Sequence, residues 1–140
     1  MTSHEQRRAN RILWFDGLGG LVAGALCLAA SSWLAEIYRV DVDLLRFVAA
    51  ANLLYGCYST TLAARMAKGT PPPRIALHVL IAANMTWGLV CAAVLVLVAS
   101  TASPLIWLHI GGEGLYVFGL GLVERRLVLP FAMVPKADPR

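Results

Sequence analysis

Charged residues are scarce in this chain: Asp, Glu, Lys and Arg make up 14% of its 140 residues, while 59% are hydrophobic. A water-soluble domain carries about 25% charged and about 45–50% apolar residues, so the composition excludes an ordinary soluble globule. Cysteine is sparse as well. Cys27, Cys57 and Cys91 are the only three, and no two stand in a CxxC spacing. An odd, dispersed set excludes a disulfide framework and a thiol redox motif, which leaves the thiols as small buried hydrophobes. The pattern also lacks a nucleophile–base pair and a three-ligand metal set. On that basis neither an enzymatic activity nor a cofactor is expected.

What the chain has instead is long apolar runs. Four blocks, 12–34, 44–64, 75–99 and 105–124, are almost uncharged. At about 1.5 Å per residue, about 20 helical residues cross a ~30 Å hydrocarbon core, and all four blocks meet that length. Unpaired backbone groups are prohibitive in lipid, so each block is expected to be a helix. The first block exceeds a 7–15-residue signal-peptide core and is read as a retained helix. The net charge of +4 would suggest nucleic acid in a soluble protein, but its distribution marks topology. Arg7, Arg8, Arg11, Arg65, Lys68, Arg74, Arg125, Arg126, Lys136 and Arg140 fall on one side of the alternating blocks, against Arg39 and Arg46 on the other. By the positive-inside rule both termini are cytoplasmic. The expected fold is therefore all-α: a four-helix up-down integral membrane bundle over 1–126, N-in and C-in. The lipid bilayer is its surroundings and nucleic acid is not a partner.

The connections carry punctuation. Residues 1–11 are polar and read as frayed. Asp43 is placed to cap the second block, Gly69 to end it, and Ser103-Pro104 to open the fourth. Residues 127–140 form an apolar but proline-broken tail, read as interfacial and then disordered.

In lipid, an ionisable side chain costs roughly 2.5–3.5 kcal/mol at mid-helix on insertion scales, so each polar residue in a block requires a reason. Asp16 stands ~10 Å to the cytoplasmic side of the midplane by residue count. Gly20 and Gly24 follow it at four-residue steps on one face, a stripe that admits a close neighbouring backbone. His78 lies at a similar depth and is a possible partner for Asp16. In "WLHIGGEG", Glu113 falls near the midplane with His109 one turn away. Both residues are candidates for proton or cation handling, but no third ligand indicates a metal.

A near-repeat spans the middle of the chain: "AANLLYG" at 50–56 and "AANMTWG" at 82–88. Asn52, Tyr55, Gly56 and Ser59 form one helical stripe, and Asn84, Trp87, Gly88 and Cys91 form another, both at i, i+3, i+4, i+7. Antiparallel helices carrying matched stripes can be related by a two-fold axis in the membrane plane. The asparagines can bond to each other or to Glu113, as interhelical glue worth about 0.6–2 kcal/mol each or as ligand contacts. Gly56 and Gly88 join Gly20 and Gly24 as helix-packing positions.

Asp16 before a glycine stripe, the Asn84-x-x-Trp87 motif and the acidic Glu124 closing the last block together resemble a group of small, uncharacterised four-helix bacterial inner-membrane proteins, over about residues 12–126. That resemblance implies a topology and no activity. The leading expectation is a non-catalytic membrane protein that assembles with itself, through a glycine face, or with a membrane partner. The alternative is a small transporter or proton/cation-coupled permease subunit using Asp16, His78, His109, Glu113, Asn52 and Asn84.

Overall fold

The computed structural model describes residues 3–132. Helix α1 (Ser3–Ala29) runs into the short α2 (Ser31–Tyr38), followed by α3 (Val42–Ala67) and α4 (Arg74–Val98). A π-helical turn (Trp107–Gly111) then leads into α5 (Gly112–Leu127), and a 3₁₀ turn (Leu129–Phe131) closes the described chain. The described residues are all-α, with no strand among them.

The first apolar block is thus drawn as two helices. Backbone bonds from Ala30 to Leu26 and from Leu34 to Ala30 carry the helix through the joint. The joint falls at Ala30 (φ −100°, ψ 8°), immediately before Ser31-Ser32. Helix α2 stops at Arg39, which takes the left-handed conformation at φ 57°. At the other end, α1 begins well before the apolar run. Residues 3–11 are helical rather than frayed, because Ala9 is fully buried in a cluster with Leu13, Leu62, Ala63 and Met66. Asp41, not Asp43, caps α3: its side chain accepts from the Asp43 amide at 2.7 Å. Asp43 instead pairs with Arg46 at 3.0 Å. Gly69 ends α3 at φ +77°, a conformation that a Cβ disfavours.

Two apolar clusters mark the ends of the molecule. One joins Ala9 and Leu13 of α1, Leu62 and Met66 of α3, Leu77 and Leu80 of α4, and Val128 and Ala132 beyond α5. The other joins Val48, Leu95, Ile106 and Ile110 with Tyr38 and Val40. Near the second, the Ser103 amide donates to the Tyr38 carbonyl at 2.8 Å. The long helices therefore run alternately up and down between the clusters. Residues 128–132 are part of this packing, since Val128 is fully buried; the rest of the expected tail, from 133, lies outside the described residues.

Polarity is distributed inside out. Leu54, Leu97 and Leu115 are 75–81% exposed, while Asp16, Asn52, Ser59, Asn84 and Glu124 are buried. By length and apolar composition, two helical segments are able to cross a membrane: His4–Ala29 and Arg74–Val98. Four spans were expected. Helix α5 is 16 residues long, about 24 Å at ~1.5 Å per residue, because the π turn takes the first part of its block. Helix α3 has length but carries Asn52, Ser59, Thr60 and Thr61.

Candidate functional site

The polar stripes of α3 and α4 do meet, but not by pairing their asparagines. Asn52 Nδ2 donates to Glu113 Oε1 at 2.7 Å, and its other proton goes to the Val48 carbonyl at 3.1 Å. Trp87 Nε1 donates to the same Glu113 oxygen at 2.6 Å. Across the molecule, Asn84 Nδ2 donates to Glu124 Oε2 at 2.9 Å and Tyr55 Oη donates to Asp16 Oδ2 at 2.7 Å. The Asn84 amide, the Ser59 hydroxyl and the Glu124 carboxyl lie near Asp16, although Ser59 itself donates to the Leu13 carbonyl at 3.1 Å. The wiring is therefore crossed. The asparagine of one stripe and the aromatic of the other serve each acidic site: Asn52 with Trp87 at Glu113, and Asn84 with Tyr55 at the neighbouring Glu124 and Asp16.

Backbone packing repeats this crossing. A Cβ at Gly56 would meet the Gly17 carbonyl at 2.7 Å and the Leu21 side chain at 2.9 Å. A Cβ at Gly88 would meet the Gly114 carbonyl and the Phe118 side chain, both at 2.9 Å. Further along, Gly24 faces Ala49 and Leu53 as Gly121 faces Ile81 and Met85. One constant register along α1 and α5 matches Asp16-Gly17 to Glu113-Gly114, Leu21 to Phe118 and Gly24 to Gly121. The register of the "AAN" repeat matches α3 to α4. The fold thus has a pseudo-two-fold axis, roughly perpendicular to the helices, that exchanges α1 with α5 and α3 with α4. Close approach at Gly24, Gly56 and Gly88 follows from it, since only glycine leaves room for a second backbone at such contacts; Gly20, packed on the Asn52 and Gly56 backbone, has Val117 at its related position. The symmetry also breaks in polarity. Ser59 and Glu124 beside Asp16 correspond to Cys91 and Cys27, so the Asp16 end is the more polar.

The histidines stand apart. His78 is exposed on α4 and does not pair with Asp16, because the interior face of α4 is taken by Leu77, Leu80, Ile81 and Asn84. His109 lies 5.5 Å from the Tyr38 ring, centroid to centroid, and its Nδ1 has no hydrogen-bond partner. The turn containing it is π-helical and wider than an α turn, which changes the angle to Glu113. The two side chains go to different neighbours instead of stacking on one face. Among the described residues, no group of three or more His, Cys, Asp or Glu side chains is arranged to hold a metal ion.

Glu124 is the residue that sequence reasoning passed over. Its neighbours Arg125 and Arg126 suggest a hydrated helix end, yet it is 1% exposed. Spacing carried the signal: Gly114, Val117, Gly121 and Glu124 fall at i, i+3, i+7, i+10 on one buried face, which continues an interior stripe. Tyr55 and Trp87 were read as stripe members, whereas each is a donor to a carboxyl.

Between α3 and α4 the stripes leave a cavity of about 330 Å³ lined by Ala51, Asn52, Leu54, Tyr55, Tyr58, Val79, Ala83, Asn84, Trp87 and Val117. It lies on the pseudo-two-fold axis, between the two carboxyl cradles. Exposed Leu54, Val79 and Ala83 form its rim. No family model, curated protein or solved structure was found to match this chain. The functional reading rests on the geometry of these groups.

Proposed function

We propose that the chain is a multi-pass protein of the bacterial inner membrane, a four-helix bundle with both termini cytoplasmic, that works as a small proton- or cation-coupled carrier. The observation that carries this reading is the set of three carboxyls, buried Asp16 and Glu124 and half-buried Glu113, whose hydrogen-bond donors Tyr55, Asn84, Asn52 and Trp87 are all uncharged. Glue between helices needs hydrogen bonds; it does not need three carboxyls that each cost roughly 2.5–3.5 kcal/mol to insert. Asp16 and Glu124 in contact cannot both be ionised without strong repulsion, so the pair is a natural holder of an exchangeable proton. Two cradles related by an axis in the membrane plane supply matched sites toward the two faces, an arrangement that suits alternating access. The apolar exterior, the two long apolar helices and the basic residues at one end support the membrane placement.

Purified protein in vesicles tests the reading by two measurements. Infrared difference spectra between acidic and alkaline pH are expected to show a carboxyl C=O band that vanishes in Glu124→Gln or Asp16→Asn. Uptake driven by an imposed pH gradient, screened across organic and inorganic cations, is expected to depend on the same residues. Carboxyl bands that stay unchanged, together with no flux dependent on either residue in folded variants, would refute it.

One observation favours a second reading, a non-catalytic assembly protein. Gly112 and Gly119 have no atom within 4 Å of an added Cβ, and Leu108 and Leu115 beside them are 76% and 81% exposed. That open face of α5 suits a second copy of the chain. Variants that lose self-association while the carboxyl spectra stay silent would favour it.

A further inference from the structure

The cavity between α3 and α4 permits a count of what it offers a ligand. Its polar lining residues are Asn52, Tyr55, Tyr58, Asn84 and Trp87. Both amide protons of Asn52 are spent, on Glu113 and on the Val48 carbonyl. The Asn84 amide donates to Glu124 at 2.9 Å. Tyr55 donates to Asp16, Trp87 to Glu113, and Tyr58 to the Ala76 carbonyl at 3.1 Å. Apart from one amide proton of Asn84, every side-chain N–H and O–H of the polar lining is therefore committed to an acceptor outside the cavity. What remains is oxygen lone pairs and aromatic faces. Asn84 Oδ1 is buried without any partner, an unmet acceptor that a donor would satisfy.

Such a cavity discriminates by chemistry. A quinone, an ester or a carboxylate brings acceptors to a site whose side-chain donors are nearly all spent. An ammonium group brings N–H donors and positive charge to a site walled by Tyr55, Tyr58 and Trp87 and backed by carboxyls, with no Lys, Arg or His in the lining. Aromatic faces attract cations, and the apolar rim of Leu54, Val79 and Ala83 suits a hydrophobic body. We propose that the cleft between α3 and α4 binds a lipophilic organic cation bearing at least one N–H, seated on the pseudo-two-fold axis between the Glu113 and Asp16 cradles and entering from the bilayer. This assignment names the substrate class of the carrier proposed above and rests on that reading for its entry route. At about 330 Å³, near the small end of ligand pockets, the cleft takes one compact molecule.

The test is a binding series on the wild-type chain in lipid nanodiscs, with protein-free discs subtracted. The probes share one ring system: 1-naphthylmethylammonium, 1-naphthalenemethanol and 1-naphthaleneacetate. The ammonium is expected to bind saturably and roughly tenfold or more tighter than the alcohol, with no saturable binding of the acetate. Ala83→Trp, which fills the rim without touching a carboxyl, is expected to abolish ammonium binding while leaving the carboxyl infrared bands intact. Glu113→Gln is expected to weaken it roughly tenfold. Equal binding of alcohol and ammonium, saturable acetate binding, or ammonium binding untouched by Ala83→Trp would each overturn the assignment. Because the infrared readout is separate, titrating carboxyls without cation binding would sink this inference alone, whereas silent carboxyls would sink the carrier reading.

Discussion

Adding a methyl group at Gly56 probes the α1–α3 contact on which the site depends. In the Gly56→Ala variant the new Cβ would stand 2.6 Å from the Leu21 amide nitrogen and 2.7 Å from the Gly17 carbonyl oxygen. Favourable contact begins near 3.5 Å, and both neighbours are backbone atoms of a helix, which cannot swing aside as a side-chain tip would. The two helices must separate by roughly 1 Å, and overpacking of this kind costs about 1–3 kcal/mol. Alanine returns up to ~1 kcal/mol through its higher helix propensity, so a net loss of about 1–2 kcal/mol is expected. Gly112→Ala is the matched control: nothing lies within 4 Å of its added Cβ, so only the propensity gain applies and stability should hold or rise by up to ~1 kcal/mol. Gly88→Ala, with contacts of 2.9 Å to one backbone oxygen and one side-chain carbon, should fall between them. The assay is unfolding in bicelles by titration with SDS, followed by far-ultraviolet circular dichroism. A Gly56→Ala chain at least as stable as Gly112→Ala would refute the close α1–α3 approach, and with it the placement of Asp16 beside Tyr55.

Other expectations concern single groups. Glu124→Gln should be at least as stable as the wild type, because its amide accepts from Asn84 and donates to Asp16. Glu124→Ala should lose about 1–3 kcal/mol by leaving the buried Asn84 donor unpaired; the same SDS titration separates the two. Asp41→Ala removes the side chain that accepts from the Asp43 amide and should cost about 1 kcal/mol, read by the same unfolding curve. The orientation is checked by cysteine labelling in a Cys57→Ser background. An impermeant maleimide applied to intact cells should label Asp41→Cys and reach Lys68→Cys only after lysis. Labelling of Lys68→Cys from outside would break the positive-inside assignment.

Local periodicity made part of the site legible. The stripes through Asn52 and Asn84, and the Gly20–Gly24 face below Asp16, are patterns within single helices, and burial follows such patterns directly. Asn52 bonding to Glu113 was among the pairings the spacing allowed. The misses have another character. Glu124 beside Arg125 and Arg126 was assigned by its position near a helix end, whereas Val128 and Ala132 beyond it fold back onto α1 and bury that end. His109 was placed by assuming α-helical stacking, and the π turn altered the angle. His78 was paired with Asp16 on depth alone, while Tyr55 already occupied that carboxyl.

Composition and periodicity by themselves determine that this chain is helical, apolar outside its ends, and polar along a few interior stripes, because those properties depend on residues within a few turns of one another. Which stripe serves which carboxyl was decided only by the tertiary structure. Asn52 is far from Glu113 in sequence, as Asn84 is from Glu124, and their meeting depends on how closely the glycine contacts let α1 approach α3 and α4 approach α5. The pseudo-two-fold axis, the crossed wiring and the donor-depleted cleft all follow from that approach, and none of them is a property of any one helix.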